Sequence, residues 1–289
     1  MPNYDEAIVA AYTLPELLTL RDGTPVADIM TWQQKRRPEL LRLFADNIFG
    51  RTPVVSESVR FEIVAEGMAF GGLAMRKEIA VCIGEARFHL LLYVPTDAPK
   101  PCPVFLGLNF FGNHTVSDDP AVAIVPQWEC DSDLGQYFWR LPKSVRGEQS
   151  SRWQVEMVLK RGYAVATACY GEIQPDANGS GRVAMLAVLG EARRLDAGAA
   201  CGAIGIWAYG LSRIMDYLET DPAVDARRVA LMGHSRLGKA ALWAAAQDER
   251  FALVISNNSG AGGAALARRR FGESVADLVR NFPHWFCGH

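Results

Sequence analysis

Histidine is scarce in this sequence, 5 in 289 residues, and there is no CxxC pair and no histidine at ligand spacing from a cysteine, so a zinc site is not expected. Neither charge is in excess. Thirty Lys and Arg stand against 32 Asp and Glu, which leaves no basic surplus for a phosphate backbone or an anionic membrane. Nucleic acid is therefore not an expected partner. Long apolar runs are also missing: the longest nearly uncharged one, Ala197 to Leu211, is shorter than the ~20 residues of a membrane span and contains four glycines, which suits a tightly packed buried helix. From Met1 to Leu20 no basic segment precedes an apolar one, so no signal peptide is visible in this chain. Repeats and low-complexity tracts are absent too, and a single domain is the expectation.

What is present suits a globular chain with a large core, since 49% of residues are hydrophobic and 21% charged. Six scattered cysteines, Cys82, Cys102, Cys130, Cys169, Cys201 and Cys287, do not establish disulfides by their even number. Several lie in apolar runs, where a free thiol acts as a small core residue. Thr31 with Gln34 reads as a capping box ahead of a helix that stops at Gly50, within an N-terminal extension covering residues 1–58. Residues 59–65, 73–83 and 86–94 read as strands, the first alternating and half-exposed, which suggests antiparallel pairing. From Pro103 onward the strands lose alternation: 104–110, 164–170, 229–233 and 251–256 are apolar throughout, as in a parallel sheet buried on both faces. Helical patterns at 153–161, 197–219 and 236–248 lie between them, giving an α/β chain. The segment 111–150 is too long for a plain connector and reads as an active-site or binding loop.

The chemistry concentrates at Gly233-His234-Ser235-Arg236-Leu237-Gly238, between a buried strand and an Ala/Leu-rich helix. A glycine before the serine permits a sharp turn, a glycine after it lets helix and strand approach, and the helix N-terminus supplies positive potential for an oxyanion. The spacing is GxSxxG rather than the commoner GxSxG, and a serine at this place also serves as an ordinary helix N-cap. Lys239 lies one helical turn beyond Ser235 on the same face, positioned to donate to a ligand or to stand as an ordinary surface lysine.

GHSRLGK with ALWAAAQDERF and SNNSGAGGAAL resembles the glucuronoyl esterases of carbohydrate esterase family 15, especially their bacterial branch. LGLNFFGNHTV, RGYAVATACYGEIQPD and WAYGLSRIMDYLETD agree with it, and the match begins at YTLPELLTLRDGTPV. The resemblance implies an α/β-hydrolase, a three-layer sandwich, that needs no cofactor or metal and cleaves esters of 4-O-methyl-glucuronate between xylan and lignin alcohols. Its implied partner is the glucuronoxylan or lignin-carbohydrate ester alone, with neither nucleic acid nor membrane, for a monomer secreted or held in the periplasm. Ser235 is then the nucleophile and Arg236 a cationic donor to the oxyanion, with Lys239 and Glu273 on the glucuronate. A glutamate opening a helix is equally explained by the helix dipole. A broader esterase, such as an acetyl xylan esterase, and a non-catalytic carbohydrate-binding relic of the fold are the alternatives.

Serine needs a base, and the base an orienting acid. In the family pattern the acid often stands where this chain has Asn258, an amide that cannot bear the charge, so Asn258 reads as a turn residue. Beyond Ser235 (residues 236–289) the only histidines are His284, read as structural, and the terminal His289. The expectation is that the C-terminal part of the fold, with the catalytic histidine and acid, lies beyond His289. His234 is expected to point away from the nucleophile, His114 to be a loop residue and His89 to have no evident partner. Glu172 and Asp176 are expected to fix the loop after their strand. Most tryptophans read as core, with Trp128 and Trp139 in the long loop as the two to test for substrate contact.

Overall fold

The computed structural model describes residues 2–52, 58–131, 136–180, 183–191 and 201–288, without the side chains of 130 and 188–191. Among the described residues nine strands form in chain order: β1 (Val59–Ala69), β2 (Ala74–Ile83), β3 (Ala86–Pro95), β4 (Cys102–Asn109), β5 (Gln127–Asp131), β6 (Gln136–Arg140), β7 (Ala164–Cys169), β8 (Val224–His234) and β9 (Leu253–Asn257). Seven of them make one sheet in the order β1-β2-β3-β7-β4-β8-β9, and β5 and β6 make a separate hairpin. The antiparallel entry is observed: β1 to β2, β2 to β3 and β3 to β7 are antiparallel, whereas β7 to β4, β4 to β8 and β8 to β9 are parallel.

The loss of alternation after Pro103 has its physical counterpart in two layers of helix packed on the sheet. Along β7, Ala164, Ala166 and Ala168 enter the larger core with the helices Ala203–Leu218 and Arg236–Gln247. Val165 enters a smaller core with Val155 and Leu159 of the helix Val155–Leu159. On the edge strand β9, Val254 packs against the larger core while Leu253 and Ile255 are 54% and 43% exposed. The apolar run around Trp207 is a buried helix, as read; its residues 197–200 lie outside the described ones.

Two local readings change. The N-terminal helix is capped by Asp28, whose carboxylate accepts from Thr31 N–H at 2.6 Å, and not by Thr31. Asp28 supplies the same short acceptor three residues earlier, so the helix starts at Ile29. Gly50 ends it with φ 81°, and Phe49 packs on Trp243 with ring centroids 4.9 Å apart, which fastens this segment to the core. The 153–161 pattern is broken at Gln154, whose φ is 47°. The cysteines whose side chains are described, Cys82, Cys102, Cys169, Cys201 and Cys287, are all buried.

The long 111–150 segment is tied down by charge. Arg76 on β2 lies 3.3 Å from Glu78 and 3.4 Å from Asp119, all three side chains nearly buried. Tyr93 O–H donates to Asp119 at 3.1 Å and Ala123 N–H to Glu78 at 3.0 Å, while Arg146 donates to the Asp119 and Val122 carbonyls. Removing the cation strands two buried carboxylates, so Arg76→Met is expected to destabilise the fold by about 3–5 kcal/mol. Equilibrium denaturation checks this, and a cost within 1 kcal/mol of zero would place the loop's anchorage elsewhere.

Candidate active site

Ser235 stands between β8 and the helix Arg236–Gln247 with φ 55° and ψ −126°. A non-glycine residue at positive φ is strained by about 1–3 kcal/mol and persists only where its surroundings enforce it. Here a Cβ on Gly233 would sit 2.2 Å from the Leu237 carbonyl oxygen, and one on Gly238 would meet the Gly233 oxygen at 3.0 Å and Ser259 Cβ at 3.1 Å. Both glycines of GxSxxG are thus required by the close approach of strand and helix, and the second sits where the turn folds back on the first. Ser235 N–H donates to the Asn257 carbonyl at 2.9 Å, pinning the turn to β9. Its side chain makes no capping bond, so the N-cap role that sequence allows is not the one the hydroxyl performs.

Arg236 follows directly, its side chain 28% exposed. Its Nη1 donates to Asp176, and its guanidinium carbon lies 4.8 Å from the Trp285 ring centre, with the Phe282 and Phe110 rings at 5.6 and 6.0 Å. Nε is buried and has no acceptor among the described residues. A buried, permanently charged N–H without a partner, next to an uncommitted serine hydroxyl, is what a developing oxyanion requires. Asp176 organises the group: it also accepts from Trp285 Nε1 at 2.6 Å, from His284 Nε2 at 2.8 Å and from Tyr170 O–H at 3.2 Å. Burial by itself would raise the Asp176 pKa; the bonds from His284 and Trp285 and the Arg236 charge outweigh it and hold the carboxyl at about 2. Sequence flagged Asp176 as a loop-fixing residue after β7 and did not connect it to Arg236, because the contact joins residues 60 positions apart.

Lys239 is not on the surface. It is 4% exposed, its Nζ donates to the Ser259 carbonyl at 2.6 Å and lies 5.5 Å from the Trp285 ring centre. Burial lowers its pKa, and the charge of Glu273 opposes that. Glu273 is exposed and precedes the helix Val275–Asn281, whose capping box uses Ser274 and Asp277, so Asp277 takes the helix-start role that sequence allowed for Glu273. Arg236 and Lys239 thus both face Trp285, Lys239 N–H donates to the Ser235 carbonyl at 3.2 Å one helical turn back, and Glu273 is near enough to Lys239 to act on its charge. Asn258 is exposed at φ 47°, a left-handed turn position that asparagine tolerates.

Each described histidine is engaged away from Ser235. His284 binds Asp176 and, through Nδ1, Asn178 at 2.8 Å. His234 meets Asn257 at 3.1 Å and the edge of Phe110. His114 is fully buried against Ser144, and burial lowers its pKa. His89, expected to lack a partner, is 2.7 Å from Glu172; the two were missed as a pair because they are 83 residues apart. His289 lies outside the described residues. Trp128 and Trp139 pair edge to face across the hairpin, with centroids 5.3 Å apart, and Tyr137 O–H ties that hairpin to the Asn178 carbonyl. A cavity of about 700 Å³ lined by Leu108, Phe110, Trp153, Met232, His234 and Ile255, among others, adjoins the strand end. Among the described residues no cluster of three His, Cys, Asp or Glu could hold a metal.

The Asp176 network carries a pH prediction. A carboxyl at about 2 when folded, against about 3.9 unfolded, contributes about 2–3 kcal/mol that is full above pH 4 and lost as pH falls toward 2. Asp176→Asn is expected to flatten that acid limb in denaturation measured from pH 6 to 2; an unchanged limb refutes the assignment.

A family model described as "Glucuronyl esterase, fungi" matches residues 194–279. A carbohydrate esterase from an unknown prokaryotic organism is 43% identical over 290 residues, covering 99% of this chain and 67% of that protein. The glucuronoyl esterase from Solibacter usitatus superposes with a TM-score of 0.90 at 44% identity, over 98% of this chain and 73% of its own. A carbohydrate esterase family 15 enzyme from a marine bacterial metagenome, described as promiscuous, gives 0.89 at 42%, over 100% and 73%. No helix among the described residues is long and apolar enough to cross a membrane. The matched regions span nearly the whole chain, and this chain belongs to the glucuronoyl esterases of carbohydrate esterase family 15, carboxylic ester hydrolases of the α/β-hydrolase fold.

Proposed function

We propose that the chain cleaves esters of 4-O-methyl-glucuronate borne on xylan, with Ser235 as nucleophile and Arg236 as the charged oxyanion donor. The observation that carries the reading is the unpaired, buried Nε of Arg236 beside a serine whose hydroxyl caps nothing. Ser235 Oγ attacks the ester carbonyl as a base takes its proton. The carbonyl oxygen becomes an oxyanion facing the guanidinium and the first N–H of the Arg236–Gln247 helix. Collapse of the intermediate breaks the bond to the alcohol, which leaves with a proton, and water then releases the uronate from the acyl-serine. Lys239, with one of its three donors on Ser259, offers the others to sugar hydroxyls, and Glu273 accepts from them. A polymeric plant-wall substrate goes with a secreted or periplasmic location.

Arg236 cannot be replaced by lysine in this scheme, because only a planar fork serves Asp176 and the oxyanion at once. With the protein in its full natural length, benzyl glucuronate is expected to be hydrolysed and an acetate ester to be poor. Ser235→Ala is expected to abolish turnover, and Arg236→Met to lower kcat by about 10²–10³ with a smaller change in KM. Turnover retained without the Ser235 hydroxyl, or an acetate preferred over the uronate, refutes the reading.

A further inference from the structure

The loop between β4 and the helical turn Asn113–Thr115 borders the site, since Phe110 lies against Arg236, Tyr170 and His234. Its shape is set by buried side chains rather than by sheet. Asn109, the last residue of β4, accepts from Gly112 N–H at 2.8 Å and donates to Asn113 Oδ1 at 2.8 Å and to Thr167 Oγ at 3.1 Å. Gly112 has φ 105°, and a Cβ there would lie within 2.8 Å of the His114 and Gln127 side chains, so the turn accepts no other residue. Among the described residues no backbone carbonyl accepts from the Phe111 N–H.

One further tie runs out of the loop. Asn113 Nδ2 donates to the His89 carbonyl at 2.9 Å. His89 is the residue just past the end of the β3 to β7 ladder, whose first pair is Leu90 with Ala168. Its backbone groups on that side have no strand to meet, and side chains replace the strand: Asn113 donates to its carbonyl, while Glu172 accepts from its N–H at 3.0 Å and from its Nδ1 at 2.7 Å. The Glu172 side chain is wholly buried, and that of His89 is 17% exposed. A buried acceptor that takes two bonds from one residue fixes both the ring and the peptide plane of that residue, and a single peptide plane then sets the direction in which Asn113 is pulled.

We propose that Glu172 and His89 are positioning residues for the esterase reaction: together they brace the loop 109–115 through Asn113, so that Phe111 N–H stands ready as a second backbone donor to the oxyanion of the Ser235 adduct. The brace rests on the esterase reading and adds to it two residues that touch neither serine nor substrate. It predicts a split between binding and chemistry, because a displaced oxyanion donor is felt in the transition state and hardly in the ground state.

The test uses the full natural protein as Glu172→Gln, Glu172→Leu and His89→Phe, with kcat and KM on benzyl glucuronate and amide hydrogen exchange across 109–115. Glutamine keeps an oxygen for both His89 donors and is expected to retain kcat and loop protection. Leucine and His89→Phe are expected to lower kcat by about 100-fold with KM within about twofold, and to speed exchange in the loop. Folded Leu or Phe variants with native kcat and native loop exchange overturn the brace. Should Glu172→Leu fail to fold, His89→Phe alone decides, since it removes only the ring donor. Wild-type turnover of the uronate ester reports the esterase reading separately, and exchange reports the brace without any turnover.

Discussion

Asp176, buried to 8% and just beyond the short helix that follows β7, receives Arg236, His284, Trp285 and Tyr170 on its two oxygens. All of these donors need the carboxylate to stay charged, and the bonds they make hold it charged down to about pH 2. The network joins three distant parts of the chain: the end of β7, the first turn after the serine and the segment 282–286. Through Trp285 it also sets the aromatic wall that Arg236 and Lys239 face. A guanidinium held on one side by a carboxylate and on another by a ring keeps its remaining donors pointed without a search through rotamers, which is the preorganisation that electrostatic catalysis depends on.

The elbow supplies the other fixed point. Ser235 is held at positive φ because β8 and the following helix approach so closely that Gly233 has no room for a Cβ, and because its N–H is bonded across to β9. The strain is confined to one residue and is enforced by packing over the whole parallel half of the sheet. The proposed nucleophile and oxyanion donor therefore come from consecutive residues but are positioned by different means, one by backbone sterics and the other by a long-range ion pair.

That difference decides what could be read from sequence. Gly233, Ser235 and Gly238 act through the backbone of one turn, and their spacing between an apolar run and an Ala/Leu helix made the elbow visible. The switch from alternating strands to continuous apolar ones at Pro103 likewise foretold the change from antiparallel to parallel pairing. Asp28 in place of Thr31 was missed because neighbouring short polar residues compete for the same cap. Lys239 reads from sequence as a surface or ligand residue because helical spacing gives a face but not what covers it, and here the turn at Ser259 and Trp285 cover it. Asp176 with Arg236, and His89 with Glu172, carry no local signal at all: their partners are 60 and 83 residues away, and only the order of strands in the sheet brings them together.

In the proposed reaction Asp176 acts through Arg236, and a double-mutant cycle on kcat/KM for a glucuronate ester measures that directly. Asp176→Asn and Arg236→Met are each expected to slow the reaction, and the double variant to be no slower than Arg236→Met alone, because the carboxylate has nothing left to position once the guanidinium is gone. Losses that simply multiply in the double variant would contradict it, and would show that Asp176 and Arg236 serve the reaction independently.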